Sequence, residues 1–185
     1  MPNIKVTRAQ WIQLGSEKFS QSGLNGLNVE EMARMLKCNK SGFYWYFKNR
    51  DNFIHEIVEY WVTKATDELI QMAEKQNSPQ AKLVELINEL FSSRSYKDFM
   101  FHLRALAVKD STIGKLVAST ENKRLKYIQE LLTDLNYSRN EAFTKSKLLY
   151  QYYLGWYEWN KHIEPKNSML KQVLEEVGEF IDLQR

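Results

Sequence analysis

The sequence predicts an all-α protein: a three-helix, helix-turn-helix head joined by a long fourth helix to a C-terminal helical bundle, about nine helices in all. Three observations predict it. Seven Gly and three Pro among 185 residues leave room for long helices and argue against a turn-rich β sandwich. Apolar residues recur three and four positions apart, and no stretch reads convincingly as a strand. The stretch Val29–Asp51, VEEMARMLKCNKSGFYWYFKNRD, sets two short apolar-faced segments on either side of a three-residue break.

A first helix is expected from about Lys5 to Gln21, burying Trp11, Ile12, Leu14, Gly15 and Phe19. Ser22-Gly23-Leu24-Asn25-Gly26 ends it, because the glycines tolerate positive φ. Asn28 is a good N-cap for the second helix, with Glu31 placed as in a capping box and Met32, Ala33 and Leu36 on one face. After the break at Lys37-Cys38-Asn39, a third helix starts at Lys40, with Phe43 and Phe47 four apart on its buried side. Asn39 can cap this helix and Asn49 the next. The fourth helix is expected unbroken from about Arg50 to Ala73, with Phe53, Ile57, Tyr60, Trp61 and Leu69 apolar, as a lever out of the head. Pro79 opens a fifth helix reaching about Ser93, and Asp98–Val108 and Ser111–Leu135 form the sixth and seventh. Ser138 and Glu141 frame a capping box for an eighth, to about His162, and Pro165 separates it from a last helix at Asn167–Leu183. The expected division is a helix-turn-helix head at 1–48 and a helical body at 49–185.

Composition narrows the partners. Residues 1–50 hold eight Lys/Arg against three acids, a net +5, whereas residues 51–185 hold 18 basic and 20 acidic groups, a net −2. Positive charge gathered in a small N-terminal unit suits a polyanion. Cys38 is the only cysteine, so no intrachain disulfide can form. No apolar run approaches the ~18 residues of a membrane span, and a soluble, cytoplasmic protein is expected. No phosphate-binding glycine loop, nucleophile elbow or His-Glu-x-x-His is present, so no enzyme, cofactor or metal is expected. His55, His102 and His162 lack the spacing of a metal site.

On a helical wheel, Phe43 and Phe47 define the inner side of the third helix. Ser41, Gly42 and Trp45 then point outward, with Tyr44 and Tyr46 on the flanks and Lys40 at the start. Such a helix fits the major groove of double-stranded DNA. Lys and Ser can read base edges, an aromatic edge can pack on a thymine methyl, and Tyr hydroxyls can donate to phosphate oxygens. Lys48 adds charge beside the start of the fourth helix, where anions are favoured.

These residues resemble the TetR family of bacterial transcriptional regulators. The resemblance covers residues 8–54 and is carried above all by Phe43-Tyr44-Trp45-Tyr46-Phe47-Lys48-Asn49-Arg50-Asp51. It implies an all-α homodimer, a DNA-reading head and a body that often binds a small-molecule effector, with DNA contacts from Lys40, Ser41, Gly42, Tyr44, Tyr46 and Lys48. Lys37 stands where the family often has Gly, and Tyr46 where His is frequent. A repressor on a pseudo-palindromic operator, released by its effector, is the expected function; an activator, or a body that docks a protein, is the alternative. Candidate pocket residues are Trp61, Phe101, His102, Tyr127 and Tyr153. The apolar stripes of the last two helices nominate Tyr152, Gly155, Trp156, Leu170, Val173, Leu174 and Val177 for a dimer interface, or for the chain's own core.

Overall fold

The computed structural model describes residues 6–92, 98–163 and 167–183. The boundaries expected at Lys5, Ser93 and Pro165 lie outside these residues. Every regular element among the described residues is helical. In order they are α1 (Arg8–Ser22), a 3-10 turn (Gly23–Gly26), α2 (Val29–Met35), α3 (Ser41–Phe47), α4 (Arg50–Val62), a π turn (Thr63–Asp67), α5 (Glu68–Ala73), α6 (Pro79–Ser92), α7 (Phe99–Ala107), α8 (Ser111–Asp134), α9 (Arg139–Asn160) and α10 (Asn167–Gly178). With α4 and α5 counted as one interrupted helix, the described residues hold nine.

Two compact units emerge. The first comprises residues 1–64 with 96–118, and the second residues 65–95 with 119–185. In the first unit, Thr7 caps α1 through a box with Gln10, and Trp11, Phe19, Met32, Phe43, Phe47, Phe53, Ile57, Phe99, Leu103 and Ile113 are fully buried. Gly15 lets α1 lie directly on α4: a Cβ there would come within 2.5 Å of the Phe53 ring and 2.7 Å of Ile57. Ser16 and Ser20, rather than Ile12 and Leu14, complete the inner side of α1. The small residues fit that close approach where a branched chain would not.

The cap of α2 is a Schellman motif. The Lys37 amide donates to the Arg34 carbonyl and the Cys38 amide to the Ala33 carbonyl, with Lys37 at φ +53. Asn136 ends α8 the same way, at φ +63, its amide donating to Thr133 and that of Tyr137 to Leu132. Asn tolerates this left-handed conformation better than Lys does.

The second unit is cored by Leu83, Ile87 and Phe91 of α6, Ile128, Leu131 and Leu132 of α8, Leu149 of α9, and Val173 and Val177 of α10. The capping box at Ser138 is present, Ser138 Oγ accepting from the Glu141 amide and Glu141 accepting from the Ser138 amide.

Two expected elements are corrected. The helix from Arg50 to Ala73 is not uniform: a π turn at Thr63–Asp67 inserts an extra residue. Arg124 of α8 satisfies that turn, its Nε donating to Thr66 Oγ1 at 2.9 Å and its terminal nitrogen to the Ala65 carbonyl at 3.1 Å. The last helix stops at Gly178 rather than Leu183. Beyond it Ile181 turns back into the core, fully buried, and the Asp182 amide donates to the Tyr137 hydroxyl at 2.8 Å.

The left-handed Lys37 yields a stability test. Lys37→Gly is expected to stabilise the fold by about 0.5–1 kcal/mol, read as a higher urea midpoint at an unchanged slope.

Candidate nucleic-acid interface

The third helix is too short to be stable alone, at seven residues. Its inner rings hold it. Phe43 meets Trp11 edge-on at 5.4 Å and Phe53 at 4.9 Å, and Phe47 lies 4.6 Å from Phe53. Both anchors are essentially inaccessible, at 0% and 1%. Asn39 Oδ1 accepts from the Ser41 amide at 3.3 Å, and Asn49 Oδ1 accepts from the Asn52 amide at 2.8 Å at the start of α4.

Between α3 and α4 the chain turns sharply at Lys48. This residue has φ +64 and ψ −49, and the Asn49 amide donates to the Phe47 carbonyl at 2.7 Å. That is a γ-turn of the strained hand, which persists only because the packed helices on either side over-determine it. The Lys48 side chain is exposed.

The outer side of α3 is open. Trp45 is 75% and Tyr44 53% exposed, and Ser41 is exposed beside them. A Cβ at Gly42 would meet nothing within 4 Å. Glycine in a helix costs up to about 1 kcal/mol relative to alanine, and among the described residues nothing occupies the space a side chain would take here. Lys40 is exposed and paired with Glu30 at 2.8 Å. That hydrogen bond and its opposite charge hold Glu30 below the ordinary carboxylate range and raise Lys40. Tyr46 is half-buried, and its hydroxyl donates to the Val6 carbonyl at 3.0 Å. Six of the seven residues nominated for DNA (Lys40, Ser41, Gly42, Tyr44, Trp45 and Lys48) therefore present accessible atoms, while Tyr46 has committed its proton. Cys38, in the turn, has its thiol pushed up by burial and stays protonated near neutrality.

The nominated pocket residues do not form one group. Trp61 is buried in the first unit, stacked on Phe99 at 4.8 Å. His102 packs against Gly23, and Phe101 of the same helix is 61% exposed. Tyr127 and Tyr153 do line one cavity in the second unit, with Thr66, Leu69, Arg124 and Tyr150. Its volume is about 30 Å³, room for a water rather than a drug-sized molecule. Thr66, Arg124 and Tyr150 were missed; Arg124 lies three positions before Tyr127 and Tyr150 three before Tyr153, a spacing that could have flagged both. The Tyr127 hydroxyl donates to Glu74 at 2.7 Å, and burial, reinforced by that carboxylate, drives its pKa upward.

The nominated dimer residues divide as well. Val173 and Val177 are fully buried in their own chain and offer no surface, because the α10 stripe is used on α6 and α9. Leu170, Leu174, Tyr152 and Trp156 pack partly against the same core. Gly155 is exposed, and a Cβ added there would meet nothing within 4 Å. Leu148 (46%) and Trp159 (85%) flank it on the outer side of α9. An open groove of about 410 Å³ runs beside them, lined by Tyr152, Trp156, Trp159, Met169 and Glu176.

No family model matches the chain. Among curated proteins, 90 residues, 48% of the chain, are 26% identical to the uncharacterised HTH-type transcriptional regulator YuxN of Bacillus subtilis (strain 168). A second Bacillus subtilis protein, YttP, described as a probable HTH-type transcriptional regulator, is 23% identical over 142 residues, 75% of the chain. The chain spans 31% of the length of the first and 68% of the second. Among solved structures, a TetR-family transcriptional regulator from Marinobacter aquaeolei VT8 superposes with a TM-score of 0.74 at 17% identity, over 95% of this chain and 89% of that one. A TetR/AcrR-family regulator from Aquifex aeolicus VF5 gives a TM-score of 0.68 at 18% identity, over 91% and 95%. The chain has the fold of the TetR/AcrR-family transcriptional regulators. Among the described residues no helix is long and apolar enough to cross a membrane.

The anchoring of α3 predicts a large stability effect. Phe43→Ala is expected to cost about 3–5 kcal/mol in chemical denaturation, and a loss below about 1 kcal/mol would show that this ring does not hold the helix.

Proposed function

We propose that this chain is a sequence-specific, DNA-binding transcriptional regulator of the TetR type. The observation that carries the reading is the two-sidedness of α3: Phe43 and Phe47 are wholly buried, whereas Ser41, Tyr44 and Trp45 are exposed to solvent. An exposed Trp and Tyr beside an uncovered glycine make sense against a partner that comes close to the backbone. The surrounding cations, Lys37, Lys40, Lys48 and Arg50, make that partner a polyanion. In this role Lys40 exchanges Glu30 for a phosphate or a guanine edge. The pair is solvent-exposed on both sides, so the exchange costs little.

The functional division is a head at 1–48 and a body at 49–185, acting as a cytoplasmic homodimer. Two heads reading half-sites about one helical turn (~34 Å) apart would require a pseudo-palindromic operator. The support for a second copy is the outer side of α9, where Leu148, Gly155 and Trp159 offer an apolar seam with a glycine at its centre. Repression relieved by a small-molecule effector is the regulatory mode. The apolar cavity lined by Leu69, Tyr127 and Tyr153 is the place for an effector, which must expand it to enter. An effector works only through different affinities for the bound and released states.

Selection of bound duplexes from random DNA by the full chain tests the reading, and a two-fold symmetric consensus is the expected result. Against that duplex, Tyr44→Ala is expected to weaken specific binding by about 1–3 kcal/mol while the chain stays folded in thermal melting. Recovery of no enriched sequence at moderate salt would overturn the function. Gly155→Leu is expected to convert a dimer to a monomer in sedimentation equilibrium, since a leucine at that position would wedge two α9 helices apart.

A further inference from the structure

Two acids open α2, and they face different neighbours. Asn28 Oδ1 accepts from the amides of both Glu30 and Glu31, so the cap of α2 needs neither carboxylate. Glu31 turns to α1, where Lys18 Nζ lies 3.6 Å from it. Glu30 turns to the reading helix: Lys40 Nζ donates to its Oε1 at 2.8 Å, across the turn that joins α2 to α3. Lys40 immediately precedes Ser41 and stands four positions before the exposed Tyr44, so it belongs to the outer flank of α3. A carboxylate oxygen at hydrogen-bond distance from that ammonium holds the place that a phosphate oxygen or a guanine O6 would take. The ammonium has further protons, but an anion drawn to them brings its charge against the carboxylate of Glu30.

We propose that Glu30 is an internal competitor of DNA for Lys40, an autoinhibitory contact that sets how tightly the head holds its operator. This rests on the DNA-binding reading above. The size of the effect follows from exposure. The side chains of Lys40 and Glu30 are 58% and 73% exposed, so their pairing is worth no more than about a fivefold factor in an equilibrium. A lysine on a guanine edge is worth about five- to 150-fold. The duplex therefore wins Lys40, at an affinity lowered by the pair it breaks. Glu30 is not left bare in the exchange, because Arg34 follows it by one turn of α2 and its charge acts on the same carboxylate. Glu31 supplies the contrast: it carries the same charge in the same helical turn, but its lysine lies on α1.

The test measures affinity for the duplex recovered by selection, titrated at one potassium chloride concentration. The full chain is the parent, with Glu30→Gln, Glu31→Gln, Lys40→Ala and the Glu30→Gln, Lys40→Ala double variant. All three positions are exposed, and thermal melting checks that each variant is folded. Expected are a gain of about two- to fivefold for Glu30→Gln and a loss of about threefold or more for Lys40→Ala. Glu31→Gln should change affinity by less than about 1.5-fold, since a charge that pairs elsewhere is screened from the duplex. In the Lys40→Ala background, Glu30→Gln should also gain less than about 1.5-fold, because the lysine it withheld is gone. Equal gains from Glu30→Gln with and without Lys40, or from Glu30→Gln and Glu31→Gln, reduce the effect to the overall charge of the head and overturn the competitor role. No gain from Glu30→Gln, or no loss from Lys40→Ala, overturns it as well. A parent that binds no duplex overturns the DNA-binding reading itself, a distinct outcome.

Discussion

The open side of α3 exists because its closed side is filled by rings. Phe43, Phe47, Phe53 and Trp11 pack at centroid separations of 4.6 to 5.4 Å, edge-on or tilted, in the geometry that aromatic quadrupoles favour. A helix of seven residues cannot hold itself, so this cluster sets its axis and its rotation. The clearance at Gly42, the outward Tyr44 and Trp45, and the strained corner at Lys48 all follow from that placement. The opening of Gly15 onto Phe53 and Ile57 follows from it too, because α1 and α4 must close around the same rings.

Backbone strain in this protein gathers where one element hands over to the next. Lys37, Lys48 and Asn136 take positive φ at the ends of α2, α3 and α8. Each sits between helices whose side chains are buried, so a cost of order 1 kcal/mol is carried by packing on both sides. The Lys48 corner aims a cation outward as a consequence. The π turn at Thr63–Asp67 belongs to the same class of feature: a residue too many for a regular helix, made tolerable by the donors of Arg124.

The body uses its aromatic residues differently from the head. Phe91 gathers Tyr152, Tyr153 and Trp156 within 5.0 to 5.7 Å, which draws one side of α9 inward. The other side, with Leu148, Gly155 and Trp159, is left to solvent. One helix thus serves a core with one face and presents an apolar seam with the other. The hydroxyls of two half-buried tyrosines find carboxylates, Tyr127 of α8 on Glu74 and Tyr152 of α9 on Glu176.

Local rules made much of this fold legible. Asn28, Asn49 and Ser138 cap helices as their types demand, and the spacing of Phe43 and Phe47 by itself assigned the inner and outer sides of α3. Those features depend on neighbours within a turn of helix, which a sequence displays directly. What depended on distant neighbours was not legible. The periodicity of α10 marked Val173 and Val177 as apolar but not whether their own chain or a second would cover them, and Trp61 looked no different from a pocket residue until Phe99 stacked on it. The Tyr46 hydroxyl pointed, by sequence alone, toward a phosphate; only the approach of Val6 from 40 residues away redirected it. A period records which side of a helix is apolar, whereas the partner of that side, or of one hydroxyl, is set by tertiary packing that no local pattern encodes.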